Sequence, residues 1–289
     1  MQTIAISGAG GFVGTNLFSH FENLGFEVIR ISRDDLSNPE SLNDKINQAD
    51  IVINLCGANI INRWSHEYKK ELYSSRIDTT QKIVKTINQT TFKPTLFIST
   101  SAIGIYDNKK TYDEYNAEFS DDFLSVLCQD WEEEAKKATC RTVIFRFGIV
   151  LGNGGGALNK MLTPFKLGLG GVIGSGKQAF SFIHIEDLKN AFLYAIDNNT
   201  LHDAYNLCAT IPTTNNGLTK ALGNALDKPT FLKVPAFILK LQLGEGAKVL
   251  LDGQAVVPKR LKESGFKFKY ETIECAIDNL LKEDLEKIE

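Results

Sequence analysis

Cysteine and histidine are scarce in this chain of 289 residues, and neither type is clustered. The five cysteines, Cys56, Cys128, Cys140, Cys208 and Cys275, are odd in number and include no C-x-x-C pair. A disulfide framework or a zinc knuckle is therefore not expected, and a reducing cytoplasm suits them. His20, His66, His184 and His202 are scattered and give no ligand spacing, so no metal is assigned. An excess of charge is missing too: 32 Lys+Arg against 35 Asp+Glu leave a net charge of -3, without a long basic run. Nucleic acid is accordingly not an expected partner. No uninterrupted apolar run approaches the roughly 18 residues of a membrane span. No basic n-region precedes the first apolar strand. A soluble, cytoplasmic protein with no membrane partner is the expectation.

What is present is an ordinary globular composition, 43% apolar and 23% charged, in a chain long enough for one large α/β domain with a smaller lobe. Short apolar runs at 3 to 7, 26 to 32, 50 to 57, 95 to 101 and 141 to 150 alternate with helix-length stretches, notably 12 to 24, 64 to 89 and 120 to 138. Continuous Val/Ile/Leu/Phe strands separated by helices predict a parallel sheet covered on both faces, the doubly wound Rossmann arrangement. Residues 1–151 form the expected nucleotide-binding domain, and 152–179 a glycine-rich substrate loop with a short helix inside it. Residues 180–208 supply the last Rossmann elements, and 209–289 a mostly helical substrate lobe whose terminal "KEDLEKIE" is expected to fray.

In "ISGAGGFVGTNLF" Gly8, Gly11 and Gly14 follow the spacing G-x-x-G-x-x-G between a strand and an amphipathic helix opened by Phe12 and Val13. Glycines there let the backbone turn tightly and approach a pyrophosphate, to which the helix N-terminus offers N–H donors. These five residues are the expected dinucleotide cradle. At the end of the second strand stand Ser32 and Arg33, where a carboxylate would favour NAD. A hydroxyl followed by a guanidinium suits the 2′-phosphate of NADP, so NADP is expected over NAD. Asp34 and Asp35 follow at once, and a turn or helix cap is the other reading of this stretch.

Together these residues resemble the extended and atypical short-chain dehydrogenase/reductase superfamily, the NAD-dependent epimerase/dehydratases. More closely, the chain resembles the YfcH-like epimerases, also labelled a cell-division-inhibitor family, with a C-terminal segment of unknown function. The likeness runs nearly end to end through "SGAGGFVG", "INLCGANI", "RW" at 63 to 64, "SRIDTTQ", "LTPFKLGLGGVIGSGKQ", "FIHIEDL" and "VVPKRL". It implies that Leu55, Cys56 and Gly57 line the adenine side of the cofactor and that Glu71, Arg76 and Val150 lie near it. Physically, Arg76 could reach phosphate oxygens, oriented by Glu71; a solvated helix face is the other reading of this pair. The chain departs from the family pattern at Ala58, where Glu is frequent, and at Cys56, where Ala is usual.

In that superfamily the fourth strand brings a Ser or Thr to the nicotinamide, and a later helix supplies a Tyr and a Lys four residues apart. Ser101 is the positional match for the hydroxyl, with Ser99 and Thr100 beside it among the cofactor contacts. Counting onward to "FLSVLCQDWEEEA", the Tyr and Lys positions fall on Leu124 and Cys128, neither of which can replace them. Tyr106 and Lys110 make the chain's one Tyr-x-x-x-Lys, but "DNKK" after a strand reads as a turn, which would not set them side by side. Tyr106 by itself, at a strand end where open α/β sheets bind ligands, is the second catalytic candidate; a ring packed as a strand cap is the alternative. His184 and Asp187 read as a structural strand-to-helix turn, the alternative being a base and its orienter. Lys160, Lys166 and Lys177 could attract an anionic substrate.

The resulting expectation is an NADP-dependent oxidoreductase or epimerase-like enzyme acting on a small carbonyl or hydroxyl substrate. The runner-up is a nucleotide sensor that has lost chemistry and acts through a protein partner.

Overall fold

The computed structural model describes residues 1–286. The N-terminal part alternates strand and helix as expected: β1 (Thr3–Ser7), α1 (Phe12–Asn23), β2 (Glu27–Ile31), α2 (Arg33–Ser37), α3 (Pro39–Asn47), β3 (Ile51–Asn54), α4 (His66–Ser74), α5 (Ile77–Gln89) and β4 (Leu96–Ala102). After a 3-10 turn at Ile103–Ile105 come β5 (Thr111–Tyr112), α6 (Phe123–Ala135), β6 (Arg141–Phe147) and β7 (Ile149–Leu151). The next elements are α7 (Gly156–Lys166), β8 (Gly171–Ile173), β9 (Phe182–His184), α8 (Ile185–Asp197) and β10 (Asp203–Leu207). The C-terminal lobe holds α9 (Asn215–Leu226), β11 (Leu232–Val234), α10 (Ala236–Leu243), α11 (Lys248–Leu251), β12 (Ala255–Val256), α12 (Lys259–Glu263) and α13 (Ile273–Glu286). Of the tail expected to fray, α13 holds the part up to Glu286, and the last three residues lie outside the described ones.

Six strands form one parallel sheet in the order β10-β6-β4-β3-β1-β2. From β1 the chain steps outward to β2 and then across to β3, so the order reverses between β1 and β3, the place where open α/β sheets hold ligands beyond the strands' carboxyl ends. Burial on both faces explains why the strands are apolar runs. One core joins Ile4, Ile6, Ile53, Ile98 and Phe145 to Leu17 and Phe21 of α1 and Leu188 and Phe192 of α8. The opposite one joins Ala5, Val52, Phe97 and Ile144 to Leu42 and Ile46 of α3 and to Ile83, Val84 and Ile87 of α5. A third core ties α7, α9 and α13 together through Leu162, Leu222 and Ile277.

Two expected elements are divided. The run 141 to 150 breaks at Gly148, where a Cβ would stand 2.7 Å from the Ser181 carbonyl oxygen; a bare backbone lets β7 leave the main sheet and pair with β9. The helix expected over 64 to 89 is two, α4 and α5, separated at Ser75–Arg76. The stretch read as a glycine-rich loop is more regular than expected. Its α7 has eleven residues and buries Leu158, Leu162 and Phe165.

Candidate nucleotide site

The turn after β1 is built around Gly8, whose φ of +75° is a left-handed conformation that a side chain resists, and Gly11 N–H closes it on the Gly8 carbonyl at 3.0 Å. Close packing fixes two glycines. A Cβ on Gly8 would meet the Leu55 backbone at 2.9 Å, and one on Gly14 would stand 2.2 Å from the Gly8 oxygen. At Gly10, by contrast, a Cβ would find nothing within 4 Å. The N-terminus of α1, capped by Gly11, has no side chain bonded to its N–H groups. An approachable turn therefore leads into open helix donors beside the reversal of the sheet, an arrangement that fits a pyrophosphate. The Phe12 ring carries the glycine-rich segment: a Cβ on Gly152, Gly155 or Gly156 would come within 2.8, 2.6 or 3.0 Å of it. Val13 packs into the core beneath, together with Val150 of β7.

A buried polar thread holds the strand ends under this turn. Ser7 Oγ donates to Asn54 Oδ1 (2.8 Å), and Asn54 Nδ2 donates to Thr80 Oγ1 (2.8 Å). Trp131 Nε1 donates to the same Thr80 oxygen (2.9 Å), and Thr100 Oγ1 donates to the Asn54 carbonyl (3.1 Å). Asn54, Thr80 and Trp131 were not among the residues expected from sequence. The available signal was Asn54 at the end of an otherwise apolar, buried strand.

Ser32 and Arg33 fall at the start of α2, where Ser32 is the N-cap and Asp35, one of the two acids read as a turn or cap, closes a capping box with it. Ser32 Oγ and N–H share the Asp35 carboxylate at 2.6 Å each, and Asp35 also accepts from Ser41 and from Lys45 at 2.6 Å. Burial alone would raise the Asp35 carboxyl, but the Lys45 ammonium and the hydroxyls outweigh it and hold it well below the usual range. Asp35 is thus occupied, while Arg33 and Asp34 stand exposed on the first turn of α2. Arg33 acts electrostatically on the Cys56 thiol, which burial pushes up in spite of the cation and a Ser7 hydroxyl.

Beyond Cys56, Gly57 leaves room for the Arg76 guanidinium, whose Cζ would lie 2.9 Å from a Cβ there. Arg76 is mostly withdrawn from water, and its N–H groups go to neutral oxygens, Ala58 O at 2.9 Å and Leu72 O at 3.1 Å, with the Trp131 ring 5.4 Å away. Glu71 lies exposed on α4 and is not among the Arg76 partners, so the expected orienting contact is replaced by backbone carbonyls. Farther along, Cys128 of α6 is close to both Arg76 and Ser101, and burial pushes its thiol up to about 12. Ser99 and Ser101 have buried hydroxyls with no formed hydrogen bond among the described residues. Leu124 lies one helical turn before Cys128 and faces Gly104. A strip therefore runs from Arg33 past Cys56, Gly8, Gly57, Arg76 and Cys128 to Ser101.

Tyr106 shares a buried cluster with Cys128 but is enclosed within it. Its side chain is 0% exposed, its phenol donates to Asn206 Oδ1 (2.8 Å) and accepts from Arg146 Nη1 (2.7 Å), and its ring stacks on Tyr112. Arg146 in turn makes a paired contact with Glu132 at 2.7 and 2.8 Å, with all three side chains buried. Burial pushes the phenol up to about 12 despite the opposing Arg146. Lys110 pairs with Glu118 rather than Tyr106. His184 caps α8 by accepting the Glu186 N–H at Nδ1 (3.1 Å). Asp187 accepts the Lys269 and Tyr270 N–H groups at 2.8 and 2.9 Å, fastening the C-terminal lobe to α8. Both fit the structural reading. Among the described residues no His/Cys/Asp/Glu group is arranged to hold a metal.

Comparison with known proteins now bears on this geometry. Residues 4–208 match the model of the NAD dependent epimerase/dehydratase family, and 234–280 match a domain of unknown function, DUF1731. The chain belongs to the NAD dependent epimerase/dehydratase family. It is 37% identical over 290 residues to the mouse epimerase family protein SDR39U1, covering 96% of this chain and 99% of that protein. An epimerase family protein of Staphylococcus aureus strain N315 is 35% identical, covering 98% and 100%. Among solved structures, human SDR39U1 isoform 2 with NADPH superposes with a TM-score of 0.91 at 33% identity, covering 97% of this chain and 99% of that one. A nucleoside-diphosphate sugar epimerase from Corynebacterium glutamicum gives 0.80 at 28%, covering 97% of this chain and 58% of that one. Both superpositions extend over the Rossmann sheet and the C-terminal lobe described above.

Proposed function

We propose that the protein binds NADP(H) along the strip from Arg33 to Ser101 and reduces a small carbonyl substrate, or oxidises the corresponding alcohol. The observation that carries this reading is the open turn at Gly8–Gly14 leading into the uncapped N-terminus of α1 at the sheet's reversal. The human relative crystallised with NADPH supports it. The α1 N–H groups would receive the pyrophosphate, with Arg76 as a nearby buried cation, and Arg33 would take the 2′-phosphate while Asp35 remains occupied. Leu55, Cys56 and Gly57 would line the adenine side, and Ser99, Thr100 and Val150 the approach to the nicotinamide. Bound cofactor supplies a hydride to carbon. This chain's part is to polarise the substrate oxygen through the free Ser101 hydroxyl and admit a water for the proton, since the Tyr106 phenol is enclosed and doubly bonded. The C-terminal lobe would select the substrate, and the chain would work in the cytoplasm.

Leu124 and Cys128, at the places of the superfamily's proton-handling pair, favour a second reading: a nucleotide sensor of the kind the cell-division label suggests, acting through a protein partner. Titration calorimetry with NADPH and NADH tests the shared premise, and failure to bind either at millimolar concentration refutes both readings. NADPH consumption across a panel of carbonyl compounds then separates them. Turnover supports the reductase, whereas tight binding without turnover and with a cofactor-dependent partner supports the sensor.

A further inference from the structure

The segment 231 to 241 departs from the rule that apolar elements are covered. The sequence of α10, "AFILKLQL", is apolar almost all round, a pattern that belongs to a protein core or a membrane, yet none of its residues is buried. Phe231, Phe237 and Leu241 are 77%, 68% and 75% exposed. Leu167 and Leu169, at 69% and 60%, precede β8, which pairs with β11 through Gly171 and Leu232. Apart from these five, only Met1 and Phe92 among the described large apolar side chains are 60% exposed or more. With roughly 200 Å² for a phenylalanine side chain, Phe231 and Phe237 alone leave about 300 Å² bare, and Leu241 adds to it, a size at which a monomer's largest apolar patch is often functional.

Charge identifies what this face suits. Between residues 227 and 248 stand four exposed lysines, Lys228, Lys233, Lys240 and Lys248, and two carboxylates, the exposed Asp227 beside Lys228 and Glu245, which is engaged by Lys69 at 2.6 Å. A locally basic face on a chain of net charge -3 is a real asymmetry. A two-fold contact with a second copy would set these lysines against their own counterparts. A bilayer with anionic headgroups accepts both features, with aromatic and leucine side chains in the acyl boundary and lysines among the phosphates.

We propose that the β11–α10 face docks this protein peripherally on anionic membranes. No described helix is long and apolar enough to cross a membrane, and the lack of a spanning segment, which led to the expectation of no membrane partner, does not bear on a surface contact. The proposal is independent of the nucleotide site.

The test is co-sedimentation of the full chain with phosphatidylcholine vesicles, with and without phosphatidylserine. Binding is expected to the anionic vesicles only and to weaken with salt. The triple variant F231S/F237S/L241S should lose it, and Lys233→Gln and Lys240→Gln should each lower the partition coefficient about fivefold, the equivalent of roughly 1 kcal/mol for a basic residue at such a surface. NADPH titrations and unfolding midpoints of the variants, read alongside, should match the parent because these side chains are exposed. Failure to bind anionic vesicles overturns the proposal. So does equal binding to both vesicle types, or a dimer in solution that the triple variant dissociates, which would assign the face to a second copy.

Discussion

The role of Tyr106 can be decided by removing one oxygen. In Tyr106→Phe the ring keeps its stack on Tyr112, but Arg146 Nη1 loses an acceptor and Asn206 Oδ1 loses a donor, both inside a region closed to water. A hydrogen bond to a charged group contributes about 1.5–3 kcal/mol, and leaving a second buried polar atom unpaired brings the expected loss to about 2–4 kcal/mol. Urea unfolding should show this as a lower midpoint with an unchanged slope, and thermal unfolding as a drop of roughly 5–10 °C. Glu132→Gln gives the internal scale: with its counter-charge gone, the buried Arg146 should cost about 3–5 kcal/mol. If Tyr106 is a structural strut, Tyr106→Phe still binds NADPH as the parent does, and any turnover survives at temperatures where the variant is folded. The opposite pattern, parental stability and NADPH affinity with turnover reduced a hundredfold or more, would refute the argument and return Tyr106 to proton transfer.

Three other outcomes follow from the same structure. Gly14→Ala puts a methyl against backbone at 2.2 Å, so it should lower stability by about 1–3 kcal/mol and NADPH affinity at least tenfold, while Gly10→Ala, which meets nothing, should leave unfolding unchanged; equal unfolding midpoints would contradict this. Arg33→Ala should weaken NADPH by roughly 10- to 100-fold, the worth of a charge-assisted contact to phosphate, and leave NADH nearly unaffected in the same titration. For pH, burial against Tyr270 holds His184 down at about 4, below its ordinary 6.5, so the unfolded chain takes up the proton first. Stability should therefore fall as pH drops from about 6.5 toward 4, by up to about 3 kcal/mol. Asp187 and Glu114, which burial raises, oppose this near the acid end, and His20 adds to it. The measurement is consequently the difference between parent and His184→Asn, whose unfolding should show the shallower pH slope.

The doubly wound sheet was legible because its central strands must be apolar on both faces, and the cradle because only glycine tolerates the turn at Gly8 and the contact at Gly14. What escaped reading depends on partners distant in sequence. Nothing local in "RFGIV" announces that Gly148 must lie against Ser181, and the division between α4 and α5 carries neither Gly nor Pro. The Tyr106 network links residues 14, 40 and 100 positions apart, so local pattern could not find it. One clue was present. Arg146 shares a strand face with Ile144, which packs in a sheet-covering core, and a cation there requires a buried acid, which the "WEEEA" turn of α6 supplies as Glu132.

That clue also reorders the catalytic question. Once Arg146 is seen to need two acceptors, Tyr106 is claimed by the interior, and of the two unpaired hydroxyls on β4, Ser99 and Ser101, the one nearer the strand's carboxyl end is Ser101. Beside it the thiol of Cys128, held neutral by burial, offers neither a fixed positive charge nor a ready proton at ordinary pH. Any chemistry here must therefore run on binding, orientation and solvent protons. A reductase of this kind would be slow unless the substrate brings its own acid, and the pH dependence of turnover would follow the substrate rather than any side chain in the strip. An enzyme-borne pKa between about 6 and 8 that persists across unrelated substrates would show that a protonating group has been overlooked.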